Sequence, residues 1–303
     1  MRARRGSTLF ASILALILGV SLQGQAPRKA PATPGKGPIA PRPIFQEPEM
    51  ARIPAGEFLM GADNTPFERE RPVHRVYVSE FYIVKYVVSN AEYKRFTDAS
   101  GHRPPINYRG ERSEYTLWKG GSFPPGIARQ PVINVSWDDA DAYCRWLSQA
   151  TGKQYRLPTE AEWEKAARGG LEQKEYPWGV EAPDARRAWF GKGFIRTWKT
   201  VDTLRDVDYG IPNGYGLYGM AGNVWQWVAD WYLEGYYRKS PAQDPQGPGR
   251  DDAQVPGKLP LPPEKVLRGG SWANAAVHLR CAFREPMVPE QRDCIVGFRV
   301  ARQ

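Results

Sequence analysis

Asn213-Gly214-Tyr215-Gly216-Leu217-Tyr218-Gly219-Met220-Ala221-Gly222-Asn223-Val224-Trp225-Gln226-Trp227 is the stretch on which the fold turns. Four glycines between Asn213 and Asn223 exclude a regular helix, because each costs about 1 kcal/mol relative to alanine. They describe a backbone that bends tightly and visits positive φ. Asn223 to Trp227 then alternates, with Trp225 and Trp227 on one face and Val224 and Gln226 on the other. Taken alone, this is a glycine-rich turn feeding a core strand. A second stretch near the C-terminus answers it: Leu267-Arg268-Gly269-Gly270-Ser271-Trp272.

Working outward, the chain has 303 residues, 41% of them hydrophobic, with 11 tryptophans, 30 glycines and 28 prolines. That is enough apolar material for a sizeable core, and the glycine and proline content points to a loop-rich fold rather than a helical bundle. The net charge of +9 is uneven. Arg2, Arg4, Arg5, Arg28, Lys29, Lys36 and Arg42 precede residue 50, against only Glu47 and Glu49. The remainder is weakly basic, with no basic run interleaved with aromatics, so no nucleic-acid partner is expected.

Residues 1–26 read as a signal peptide. Three arginines precede an apolar stretch from Leu9 to Val20, and small residues follow. The stretch is shorter than the ~20 residues of an ordinary span. Cleavage after Ala26 would leave Pro27 past the cut, so an earlier site or a retained anchor stays open. The protein is expected to be exported, periplasmic or secreted, with no other membrane contact. Residues 27–48 form a proline-rich linker, and the domain runs over 49–303. Cys144, Cys281 and Cys294 are the only cysteines. One disulfide plus one buried thiol is the simplest count in an oxidising compartment, with Cys281–Cys294 one pairing among others.

Three helices show both ends. They open at Ser89, Ser136 and Thr159, each with an acid three residues on, Glu92, Asp139 and Glu162. They stop before Gly101, Gly152 and Gly169. Ala140, Cys144 and Leu147 form one core face, and Trp163, Ala166 and Ala167 another. Ile53 to Met60, with its Pro54-Ala55-Gly56 turn, reads as a strand, and Val73 to Val78 as a second. Tyr176-Pro177-Trp178-Gly179 reads as a tight turn, and Tyr237 to Glu264 as an exposed insertion. The acid pairs Glu160/Glu164 and Asp138/Asp139 read as cap and surface charges.

Five motifs in one order resemble the formylglycine-generating enzyme, or sulfatase-modifying factor, family: IPAGEFLMG (53–61), RLPTEAEWE (156–164), GNVWQW (222–227), RGGSW (268–272) and GFRVAR (297–302). The resemblance covers Met50 to the end. It implies an α+β, C-type-lectin-like fold of the formylglycine-generating-enzyme type, rich in loops. Members of that family that make formylglycine oxidise a sulfatase cysteine with two cysteines of their own, which hold copper(I), as soft thiolates suit. The corresponding interval here, Trp272 to Leu279, contains no cysteine. Asn274 matches the first position, and Ala276 or Leu279 the second. Cys281 matches a structural cysteine. Copper is therefore disfavoured.

The resemblance also implies a calcium loop using Gly222, Val224 and Gln226. Gln226 replaces the expected glutamate and Gly219 an Asn or Asp, so calcium binding is expected to be weakened. Trp225 and Ser271 match groove residues, Gly269-Gly270 would let a ligand backbone approach, and Asn274 and His278 complete the groove candidates. His74 and His102 have no metal-ligand spacing. No Ser/His/Asp constellation or phosphate loop appears. Three functions compete: binding of a peptide, glycan or protein ligand in the groove, a copper-independent periplasmic oxidase, or a formylglycine-generating oxidase acting on a sulfatase cysteine. Any enzyme here would be an oxidoreductase.

Overall fold

The computed structural model describes residues 47–193, 203–253 and 262–303. The expected signal peptide, 1–26, and most of the expected linker, 27–48, lie outside the described residues. No helix among those described is long and apolar enough to cross a membrane.

The chain opens with four strands, β1 (Met50–Ile53), β2 (Gly56–Met60), β3 (His74–Val78) and β4 (Phe81–Val84). The single strand predicted over 53–60 is in fact two. Pro54 lacks an N–H and cannot continue a ladder, so the chain leaves β1 and re-enters as β2 at Gly56. β1 pairs antiparallel with β4, whereas β2 pairs with β3 in a separate ribbon.

Helices α1 (Asn90–Ser100), α2 (Trp137–Thr151) and α3 (Glu160–Arg168) begin and end at the residues read from the sequence. Ser89, Ser136 and Thr159 each close a capping box with the acid at the third position, and Gly101, Gly152 and Gly169 are left-handed. A short β5 (Tyr155–Arg156) lies between α2 and α3. Then follow β6 (Trp225–Trp231), β7 (Lys265–Arg268), β8 (Arg284–Met287), β9 (Val296–Phe298) and β10 (Ala301–Arg302). One sheet runs β1-β4-β10-β5, so the last strand sits beside the fourth. The other runs β8-β7-β6-β9, with β6 and β9 parallel. The mixture is the α+β class expected.

Strand β6 separates two cores. Trp225 and Trp227 enter one, with Tyr93, Tyr143, Trp272 and Phe298. Val228 enters the other, with Ile53, Val76, Phe81 and Trp163. The alternation was legible, but the second face is as buried as the first, and Gln226 is 0% exposed. The glycine-rich bend docks on the end of α3. Asn213 Nδ2 donates to the carbonyl of Ala166 (2.7 Å), which also accepts from Gly169 N, and to that of Ala167 (3.1 Å), at the C-terminal end of the helix. A Cβ on Gly214 would stand 2.2 Å from the Gly169 oxygen, so this contact requires glycine. The Tyr176–Gly179 turn forms, closed by both backbone bonds.

Two surface readings are corrected. Glu160 and Glu164 are 2% and 0% exposed. Arg284 grips Glu160 through two bonds of 2.6 and 2.8 Å. Arg268 donates to both glutamates, and Arg168 holds Glu164. A carboxylate leaves water only where such partners compensate its desolvation. In the second pair Asp138 is exposed and Asp139 closes the Ser136 capping box, as read, but Asp139 is also buried, meeting His102, Arg103 and Arg292. The exposed insertion is likewise tied down at its start. Tyr237 is buried with its hydroxyl on Glu160, and Asp244 accepts from Ser79 N and Oγ. Residues 254–261 of that segment lie outside those described.

Candidate functional site

β7 ends at Arg268, the glycine pair turns the chain, and Ser271 to Leu279 runs back across the end of β6. This brings the four groove candidates together. Trp225 Nε1 donates to Asn274 Oδ1 at 2.9 Å, and Ser271 Oγ donates to the same oxygen. The Asn274 amide N–H returns to the Ser271 carbonyl at 3.2 Å, closing the turn. His278 sits edge-on to Trp225, ring centres 6.1 Å apart, and 4.8 Å from the Phe283 ring. Its Nδ1 lies 3.1 Å from the Ala275 carbonyl. A carbonyl only accepts, so Nδ1 is the donor in this contact.

Trp225 is 2% and Ser271 0% exposed, so these two form a wall under the site rather than its face. Asn274 and His278 are the partly exposed members. The glycine pair does not receive a ligand backbone, since a Cβ on Gly270 would stand 2.8 Å from the His278 carbonyl oxygen. The chain itself fills that space. Sequence reasoning missed the adjoining aromatics. Phe67 packs on Phe283 at 5.1 Å, with Arg69 over Phe283 and Arg280 over Phe67. The ERERP run (68–72) beside Phe67 was the available signal.

The residues do not fit copper(I). All three cysteines are unpaired and buried. Burial pushes the Cys281 thiol up to about 12 and those of Cys144 and Cys294 further. A thiol held protonated is a poor ligand. Cys281 lies in one core and Cys294 in the other, so the sequence pairing of these two is not formed.

They do not fit calcium either. Gln226 Oε1 accepts from Trp163 Nε1 (2.8 Å) and Arg299 Nε (2.7 Å), and its Nε2 donates to the Gly219 carbonyl (2.6 Å). Gly222 O is taken by Val224 N. Arg299 is fully buried without a carboxylate, and burial pushes its pKa down. It donates instead to the carbonyls of Val84 and Tyr218. A second cation at Gly222, Val224 and Gln226 would meet this guanidinium. Among the described residues no three His, Cys, Asp or Glu side chains gather as a metal site.

Residues 36–303 match the sulfatase-modifying factor enzyme 1-like domain family. The formylglycine-generating enzyme of Streptomyces coelicolor is 34% identical across 90% of this chain and 94% of its own. The inactive Cα-formylglycine-generating enzyme 2 of Mus musculus is 30% identical across 84% and 86%. The solved structure of PvdO from Pseudomonas aeruginosa superposes with a TM-score of 0.66 at 28% identity, covering 88% of this chain and 99% of PvdO.

Proposed function

Because this chain belongs to the sulfatase-modifying factor enzyme 1-like family, with its C-type-lectin-like fold, we propose that it is an exported member that binds a ligand rather than making formylglycine. The ligand is a peptide, glycan or protein segment held at Asn274 and His278. The observation that carries this is the Asn274 amide, which stands where a copper thiolate is expected and locks Trp225 and Ser271. An amide offers a hard oxygen and no electron-rich sulfur. The mouse relative's name shows that the family includes a member called inactive.

At the site the Asn274 NH2 group donates and the His278 ring lies beside it, near a partly exposed Phe67 and the cationic Arg69. This suits a ligand carrying amide or hydroxyl groups next to an apolar face. Export rests on the charged and apolar pattern of residues 2–20. The direct test incubates purified protein with Cu(I), oxygen and a Cys-x-Pro-x-Arg peptide and follows the cysteine by mass spectrometry. No conversion is expected. An aldehyde product would establish formylglycine generation, and an iron or organic cofactor that copurifies would favour the copper-independent oxidase.

A further inference from the structure

The loop between residues 107 and 116 takes no part in the site described above, and it is closed on itself. Thr116 Oγ1 accepts from Asn107 N at 3.1 Å and donates to the Gly110 carbonyl at 2.9 Å. Gly110 N donates back to the Asn107 carbonyl at 2.8 Å. Two buried asparagines tie the loop to the body of the fold. Asn107 Nδ2 donates to Asn134 Oδ1 at 2.9 Å, and Asn134 Nδ2 donates to the Tyr115 carbonyl at 2.8 Å. A loop held in this way presents its side chains without the ordering cost of a loose one.

What it presents is Tyr108, 60% exposed, and Arg109, also exposed. The Arg109 guanidinium carbon lies 5.4 Å from the centre of the Tyr108 ring and 5.5 Å from that of Tyr115, within the range of cation–π attraction. Its Nε donates to the Tyr108 hydroxyl at 2.9 Å. Two rings and one hydrogen bond therefore orient the guanidinium and leave its Nη1–Nη2 edge to solvent. The neighbouring acid Glu114 turns to the Tyr115 hydroxyl instead. Along residues 101–120, Arg103, Arg109, Arg112 and Lys119 outnumber Glu111 and Glu114.

We propose that this loop is a docking element for an acidic segment of a partner protein, with an Asp or Glu carboxylate seated on the Nη1–Nη2 edge of Arg109 and a neighbouring partner residue packed on Tyr108. A guanidinium edge matches a carboxylate through two parallel N–H···O bonds, a geometry that an ammonium cannot reproduce. An oriented arginine beside an exposed tyrosine has the composition of a protein-interface anchor. A charged lipid surface calls only for basic charge close to it and makes no use of the fork.

The test selects phage-displayed random short peptides on the purified full chain and counter-selects them on Arg109→Lys, which keeps the charge and removes the fork. Peptides held elsewhere on the protein bind both and drop out. The survivors are expected to share a position occupied by Asp or Glu. By fluorescence anisotropy, a synthetic survivor should bind Arg109→Lys about 10-fold more weakly, the loss of one charge-assisted hydrogen bond, and Tyr108→Ala should weaken it as well. Both side chains are exposed, so an unchanged Tm separates these losses from misfolding. No survivors, survivors without an acidic position, or equal binding to Arg109→Lys would each overturn the proposal. Phosphatidylglycerol vesicles that sediment wild type and Arg109→Lys equally, with no peptide survivor, would assign the loop to a membrane surface instead.

Discussion

Glu164 accepts from Arg168, Arg268 and the backbone of Gly61, and so joins three of the five sequence motifs at one carboxylate. Glu164→Gln leaves two buried guanidinium groups short of a counter-charge and should cost ~3–5 kcal/mol. Urea unfolding reads this directly, and a loss below ~1 kcal/mol would mean the network is not carrying the fold. Gln226 joins the other motifs, meeting Trp163 and Arg299. With Arg299 already on Gln226 Oε1 and the Tyr218 carbonyl, and Gly222 O taken by Val224 N, millimolar calcium or a chelator should leave Tm unchanged, since only a ligand that prefers the native state shifts it. A calcium-dependent rise would show that the loop opens and that the guanidinium yields. Position by position, the acids were legible as acids but not as buried ones. Glu160 and Glu164 lie at i and i+4, a spacing that suits a solvated face as well as an ionic one. Only Arg268 and Arg284, more than 100 residues on, decide between them.

The helices are the elements the sequence described best, because a capping box is closed within four residues and depends on little outside them. Thr159→Ala should cost ~1 kcal/mol, and Ser89→Ala about the same. Equal stabilities for wild type and both variants in chemical denaturation would contradict the observed caps. The bend before β6 behaves differently. Its need for glycine at 214 comes from the end of α3, not from its own backbone. Gly214→Ala should therefore lose ~1–3 kcal/mol as an overpacked contact. A double change with Asn213→Ala, which frees the same helix end, should cost less than the sum of the two. Full additivity would place the two residues in separate environments. The strands were the least legible elements, since Pro54 divides β1 from β2 and sends them to different sheets.

Across the whole molecule, two buried titrating groups shape the response to pH. Burial alone would raise the Asp139 pKa, but the bonds from His102 and Ser136 and the charge of Arg103 overcome it, so the folded value is depressed. Its contribution is present above the unfolded value of about 3.9 and is lost as pH falls through the lower folded value. Asp139→Asn should remove that acid limb from a Tm-versus-pH profile, and a limb unchanged in the variant would assign it to other carboxylates. Lys265 lies between Trp137 and Trp231, with Nζ 4.1 and 3.9 Å from the ring centres. Burial brings its pKa down to about 8, against the pull of Asp230 and Asp138. Between there and ~10.4 the unfolded chain binds the extra proton, so wild type should gain stability relative to Lys265→Met as pH rises from 8 towards 10. A constant difference would show that the lysine is not depressed. By itself the sequence determined the class of fold, the ends of three helices, the family and the absence of sulfur from the turn after the glycine pair, because each of these is written in residues adjacent along the chain. The tertiary structure alone decided that both faces of β6 are buried, that an arginine takes the Gln226 side-chain oxygen a calcium ion would need, that Trp225 and Ser271 lie beneath the site, and that Glu70 and Arg280, both buried, meet as a pair. Those outcomes depend on partners brought together from distant parts of the chain, and the desolvation that governs them exists only once the chain has closed.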